Sequence, residues 1–163
     1  MDASTFRTLL RHQAGAVSVI AAGRPGGRAG LTATAVCSVS DEPPTVLVCV
    51  NKGAGAHDLI GAERSFAVNF LSSGQESIAT AFSGRSGLRG EDRFEAGDWT
   101  TLVTGAPVLS SCLASLDCRL VDQHTFATHT IFFGAVVDGR VCEVSDPLMY
   151  FRGSFRALDS GGH

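Results

Sequence analysis

Gly30-Leu-Thr-Ala-Thr-Ala-Val-Cys-Ser-Val-Ser40, closed by Asp41-Glu-Pro-Pro44 and followed directly by Thr45-Val-Leu-Val-Cys-Val50, decides the architecture of this chain. Read as a strand, the first run sets Leu31, Ala33, Ala35, Cys37 and Val39 on one face. Thr32, Thr34, Val36, Ser38 and Ser40 fall on the other, because side chains alternate along a strand with a period of two. A row of hydroxyls on one side is a candidate polar rail for a flat heterocycle. Alternation alone favours a solvent-facing edge, where Thr and Ser are common. This strand is expected from about Ala29 to Val39. The run Thr45 to Val50 is apolar on both faces and predicts a central, fully buried strand.

Working outward, Ser4 to Gln13 reads as a short amphipathic helix, with Phe6, Leu9 and Leu10 at helical spacing and Ser4 or Thr5 available as its cap. Val17 to Ala22 predicts a strand, and Gly23-Arg-Pro-Gly-Gly27 a turn. Downstream, a helix is expected over Ala56 to Glu63, a strand over Phe66 to Leu71 and a helix over Gln75 to Phe82. A glycine-rich, charged loop runs from Ser83 to Gly97. The second half is rich in strand signals. Cys112, Ala114, Leu116, Cys118 and Leu120 make one apolar face, and Ser115, Asp117 and Arg119 face water or a partner. Thr130 to Val144 holds two strand-like runs around Asp138-Gly139, a hairpin signal, and Leu148 to Phe151 predicts a last short strand. Seven or eight strands with three short helices point to a mainly β chain folded as a closed or nearly closed antiparallel barrel.

At 163 residues, 44% of them hydrophobic and 18% charged, the chain has the size and core of one domain. That domain is expected over residues 5–158, with a flexible tail at 159–163. The net charge of -3 leaves no electrostatic footprint for nucleic acid. No apolar run approaches the roughly 18 residues of a membrane-spanning helix. Met1 to Gly23 imitates a signal peptide, but Asp2 is acidic and Gly15 and Ser18 break the apolar run, so a cytoplasmic protein is expected. Five cysteines without a C-x-x-C pair suit neither a disulfide framework nor a zinc site; they read as buried small hydrophobes, and no metal is expected.

The common catalytic motifs are missing: no phosphate loop of the G-x-x-x-x-G-K-[ST] type, no G-x-S-x-G, no H-E-x-x-H. Gly53-Ala-Gly55-Ala-His-Asp58 imitates a dinucleotide fingerprint, but Asp58 stands where the third glycine belongs. Asn51 and Lys52 are more informative. Lys52 is the one lysine beside twelve arginines, and it lies at the mouth of the Ala56 helix. An ammonium beside free helix N–H groups favours an anion such as phosphate.

Four stretches in order, Gly30 to Lys52, Phe66-Ala-Val-Asn-Phe-Leu71, His129-Thr-Ile-Phe-Phe-Gly134 and Pro147-Leu-Met-Tyr-Phe-Arg152, resemble the short-chain flavin reductases, the reductase components of two-component flavin monooxygenases. The resemblance covers about residues 5 to 158. It implies the flavin-binding split β-barrel, usually a homodimer, and hydride transfer from NADH or NADPH to FAD or FMN. Reduced flavin would then go to a separate monooxygenase. A flavin-dependent reductase of another acceptor, such as a cob(II)alamin or other corrinoid, and a non-catalytic flavin-binding protein on the same barrel are the alternatives.

By that resemblance, Thr32, Ala33, Thr34 and Ser38 lie along the flavin, and Asn51 and Lys52 sit near its phosphate end. Phe82, Ser83 and Arg85 close over it. His129 would lie beside the nicotinamide as the catalytic-site histidine, with Tyr150, Phe151 and Arg152 completing that pocket. Ala127 and Thr128 depart from the Gly and Asp or Thr frequent before this histidine, and the Ser83 to Arg93 loop is unusually rich in arginine. His12, His57 and His124 read as surface or helix-face residues, and Arg85 as the best phosphate contact of its loop.

Overall fold

Asp2 opens the first element. Its carboxylate accepts the backbone N–H groups of Ser4 and Thr5 at 2.9 Å each, capping helix α1 (Ala3–Leu10). The cap is therefore Asp2 and not Ser4 or Thr5, since a carboxylate reaches two free N–H groups and adds a favourable charge at a helix start. The computed structural model describes residues 1–142 and 145–158. The expected tail at 159–163 and the end of the strand-like run at Val144 lie outside the described residues.

The strands follow as β1 (Gly15–Ala16), β2 (Ser18–Ala22), β3 (Ala29–Ala33), β4 (Val36–Asp41), β5 (Pro44–Asn51) and, after helix α2 (Gly55–Glu63), β6 (Ser65–Phe70). Helix α3 (Glu76–Ala81) and a 3-10 turn at Gly90–Glu95 precede the ribbon of β7 (Trp99–Thr101) and β8 (Pro107–Leu109). Two long strands, β9 (Ala114–Phe126) and β10 (His129–Val141), and two short ones, β11 (Leu148–Phe151) and β12 (Ser154–Ala157), complete the set. Seven form one antiparallel sheet in the order β3-β2-β6-β9-β10-β5-β4, and β1, β11 and β12 form a second. The two edges of the large sheet, β3 and β4, are joined by Thr34 and Ala35 alone. Two residues span only about 7 Å, so the sheet must roll until its edges meet there. The result is the nearly closed barrel expected from the strand count.

Ile20, Val48, Val50, Phe66, Val68, Cys118 and Phe132 fill the barrel. A second core, with Val19, Leu71, Ile78, Phe82, Phe94, Leu109 and Leu148, lies between β2, α3 and the loops. Phe82, Phe94 and Trp99 meet there at centroid distances of 4.9 to 5.3 Å. β2 faces both cores and is buried throughout, which is why Val17 to Ala22 is a continuous apolar run. The run Thr45 to Val50 behaves otherwise. Val46, Val48 and Val50 point inward, but Thr45, Leu47 and Cys49 remain half-exposed on the outer face, one strand from the edge.

Three further expectations change. The single strand from Ala29 to Val39 is two, broken at Thr34-Ala35 where the barrel turns its corner, and the break carries Val36 round to the core side. Asp138-Gly139 is no hairpin turn. It follows a register shift at Val136/Asp138 inside β10, which keeps pairing with β9 as far as Val141. A Cβ at Gly139 would come within 2.8 Å of the Ser115 carbonyl, so this glycine permits a close strand approach. The loop that does join β9 to β10 is Ala127-Thr128. Finally, Ser115 and Asp117 are buried and do not face water. Asp117 accepts the Thr104 backbone N–H at 2.7 Å and the Thr104 hydroxyl. Among the described residues no helix is long and apolar enough to cross a membrane.

Candidate active site

Beside the corner where β3 ends, a cavity of about 520 Å³ is lined by Val17, Thr32, Ala33 and Thr34 on one side and Thr80, Ser83, Gly84 and Arg85 on another. Tyr150, Gly153, Ser154 and Phe155 close the third. Two neighbouring cavities of about 440 Å³ extend it into a groove. One shares Thr34, Arg85 and Tyr150 and reaches α1 at Arg7 and Arg11; the other shares Gly84 and reaches Gly30, Gly53, Arg89 and Arg93.

Each wall has a local cause. Thr32 donates its hydroxyl to the Ala79 carbonyl at 2.6 Å, and its backbone N–H goes to the Phe82 carbonyl at 3.1 Å, tying β3 to α3. Thr34, exposed at the strand end, makes no side-chain hydrogen bond among the described residues, so its hydroxyl is open to a ligand. Tyr150 and Phe155 stand opposite each other on the β11–β12 ladder, rings 5.5 Å apart and edge-on. The turn between those strands holds Arg152 and Gly153 at φ of +50° and +85°, the paired positive values of a tight hairpin turn.

The arginine-rich loop is pinned from beneath. Arg93 donates to the carbonyls of Leu88, Gly30 and Phe82 at 2.9 to 3.1 Å. Those three bonds commit Arg93 to building the loop, and burial lowers its pKa. Glu91 accepts the Arg28 backbone N–H at 2.9 Å and Nε at 2.7 Å, and Arg28 Nη2 joins the same carboxylate. Those side-chain bonds hold the Glu91 carboxyl below its ordinary range. Arg85 and Arg89 stay exposed and face the groove.

Of the residues singled out in the sequence, Thr32, Ala33, Thr34, Ser83, Arg85 and Tyr150 come together in the main cavity. Phe82 lies directly behind it in the second core. Ser38 stands on the exposed edge strand β4, paired with Val46. Asn51, Lys52 and His129 form a separate cluster. His129 pairs with Asn51 across β5 and β10, its Nδ1 is 2.9 Å from the Thr128 hydroxyl, and Lys52 N–H donates to the Thr128 carbonyl at 2.9 Å. Only Gly53, beside Lys52, reaches the groove. Phe151 and Arg152 sit at the head of the β11–β12 hairpin, the guanidinium 5.0 Å from the Phe151 ring centroid.

Sequence reasoning missed Val17, Thr80, Gly84 and the β12 wall of Ser154 and Phe155; the Arg152-Gly153 turn was the one signal for the last two. His57, expected on the surface or on a helix face, lies on α2 and is half-buried. His57 lies between the Asp58 carboxylate at 2.7 Å and the Thr130 hydroxyl at 2.8 Å, edge-on to Phe132. Among the described residues no His, Cys, Asp and Glu side chains gather as a metal site.

Residues 10–159 match the family model described as flavin reductase like domain. The chain is 42% identical over 158 residues to an FMN reductase (NADH) RutF of Methylorubrum populi, covering 97% of this chain and 77% of that protein. Among solved structures, the NADH:FAD oxidoreductase SgcE6 of Streptomyces globisporus, in complex with NAD and FAD fragments, superposes with a TM-score of 0.89 at 31% identity, over 99% of this chain and 96% of that one. BorF, the flavin reductase component of a bacterial two-component tryptophan halogenase, gives 0.88 at 30% identity over 96% and 98%.

Proposed function

The chain belongs to the flavin reductase-like family, and on that premise we propose that it is an NADH-dependent reductase of free flavin that works on FMN and hands the reduced flavin to a separate monooxygenase. The observation that carries this reading is the groove. Thr34, whose hydroxyl makes no hydrogen bond among the described residues, lines one cavity with Arg85 and the Tyr150–Phe155 aromatic pair. A cavity of about 520 Å³ that is polar on one side and aromatic on the other fits a flat heterocycle, and an exposed guanidinium fits its phosphate. FMN is preferred because the relative named an FMN reductase is 42% identical.

Flavin, when bound, supplies the hydride-accepting chemistry, and the protein supplies position and electrostatics. Thr34 and the backbone of β3 orient the heterocycle at its polar edge. Val17 and Ala33 would exclude water from its apolar part, and Tyr150 would pack against the bound ring. Arg85 holds the phosphate. Tyr150, Phe151 and Arg152 border the nicotinamide.

His129 lines none of these cavities in its own chain. With Asn51 it lies at the end of the outer barrel face that carries Leu47, Cys49, Ile131 and Phe133, half-exposed apolar groups on paired strands. Exposed Cys37, Val39 and Phe126 flank them. A homodimer over this face, burying of order 2,000 Å², would bring His129 to the nicotinamide in the groove of the second copy.

Anaerobic mixing of the purified chain with NADH and FMN tests the reading. Flavin absorbance should bleach, and NADH oxidation in air should require added flavin and be faster with FMN than with riboflavin. A chain that binds FMN but oxidises no NADH with FMN, FAD or riboflavin is a flavin-holding protein, and the reading fails.

A further inference from the structure

Away from the groove's open side, two thiols meet that the proposed reaction does not use. Cys112, in the turn before β9, is fully buried, and Cys142, at the end of β10, is half-buried; their sulfurs are 3.8 Å apart. The backbone brings them together, since Cys142 N–H donates to the Leu113 carbonyl at 2.9 Å. Arg140 ties Cys142 to the turn before β9. Its Nε donates to Cys142 Sγ at 3.1 Å and its Nη2 to the Ser110 carbonyl at 2.6 Å. On the other side, Cys112 Sγ is 2.9 Å from the Ser115 hydroxyl, which donates to buried Asn69 at 2.8 Å.

We propose that Cys112 and Cys142 are a redox-active dithiol, a modification site at which hydrogen peroxide forms a reversible intramolecular disulfide. The roles follow from access and partners. Cys142 is the less buried of the two, and a guanidinium N–H points at its sulfur. Cys112 has no such donor, and burial pushes its thiol up to about 11, so it reacts second. In the first step Cys142 sulfur attacks one peroxide oxygen, forming S–O as O–O breaks. The departing hydroxide takes the thiol proton and leaves as water. In the second step Cys112 sulfur attacks Cys142 Sγ, forming S–S as S–O breaks, and the released hydroxide leaves as water with the Cys112 proton. Two thiols lose two electrons, and one peroxide becomes two waters. The sulfurs must close from 3.8 Å to about 2.05 Å.

Reduced flavin yields hydrogen peroxide on meeting dioxygen, so a reductase that outruns its acceptor makes this oxidant beside the site. That source rests on the proposed function; the thiol chemistry does not. The cluster that holds Cys112 and Cys142 also packs the inner sides of Tyr150 and Phe155, so the linkage would form behind the groove wall.

The test uses the full chain, without flavin or NADH, titrated with hydrogen peroxide. Free thiols should fall from five to three. The mass should drop by two hydrogens, a single linked peptide should join Cys112 to Cys142, and dithiothreitol should restore all five thiols. Cys112→Ser should accumulate a sulfenic acid on Cys142 that dimedone traps, and Arg140→Gln should slow disulfide formation several-fold. If the serine variant does not fold, the peptide map of the native chain still decides. Oxygen added to exposed Cys37 with Cys112 and Cys142 unlinked, or a link between any other pair, overturns the proposal. Because no NADH is present, failure here leaves the reductase reading untouched, and failure of the reductase assay leaves this result standing.

Discussion

Thr32, on β3, and Thr34, in the corner just beyond it, line the same cavity, yet their hydroxyls do different work. That of Thr32 is committed to the Ala79 carbonyl, so Thr32→Val acts on folding, whereas Thr34→Val removes a hydroxyl that only a ligand would use. The expected cost is about 1 kcal/mol, or roughly fivefold in FMN affinity, with an unchanged melting curve, by flavin-fluorescence titration. His129→Ala should do the reverse: KM for NADH rises, or bleaching slows, by roughly tenfold, while FMN affinity moves less than about threefold. Glu91 gives a pH dependence. Hydrogen bonds from Arg28 depress its folded pKa below the ordinary 4.5, so the stability it contributes is complete above that value. It is lost as pH falls through the depressed one. Glu91→Gln should therefore melt below the native chain at pH 7, and the gap should close as pH drops under about 4.5. A gap that is constant from neutral to acid pH would contradict the assigned ion pair.

Elements were legible where a strand had one dry face or two. Val17 to Ala22, Phe66 to Leu71 and Leu148 to Phe151 each match a strand to within a residue or two. The break at Thr34-Ala35 was not legible, because neither residue is a breaker; barrel closure bends the chain there. Asp138-Gly139 misled for the opposite reason. Its local turn preference yields to twelve residue pairs with β9, a tertiary term that outweighs propensity. The real turn was hidden because Ala127 takes φ of +49°, a region glycine meets at least cost. Ala127→Gly should raise stability by about 0.5 to 1 kcal/mol, read as an upward shift of the denaturant midpoint with unchanged slope.

For the whole molecule, the barrel could be counted from strands, but the groove could not. It draws on β3, the loop after α3 and the β11–β12 hairpin, distant in sequence and joined only by folding. Family resemblance supplied Tyr150 and Arg85; alternation supplied Thr32 and Thr34. Neither revealed that His129 and Lys52 form a separate cluster in the single chain. In the proposed homodimer, that separation would tie activity to assembly. Phe133→Glu places a charge on the outer face opposite Leu47 and should yield a monomer by light scattering. Such a monomer should keep FMN affinity within about threefold and lose NADH oxidation at least as severely as His129→Ala. A fully active monomer would remove the second copy from the site.

The two-residue loop at Ala127-Thr128 also has a kinetic consequence. β9 and β10 are thirteen residues each and need only this short closure to pair, whereas β6 finds β9, and β2 finds β6, across some fifty residues of chain. Closing a long loop costs more entropy than closing a short one, so the β9–β10 hairpin is the natural nucleus on which β6 and then β2 assemble. Whatever stability Ala127→Gly adds should then appear in the refolding limb of the chevron, with unfolding almost unchanged and a φ-value near one.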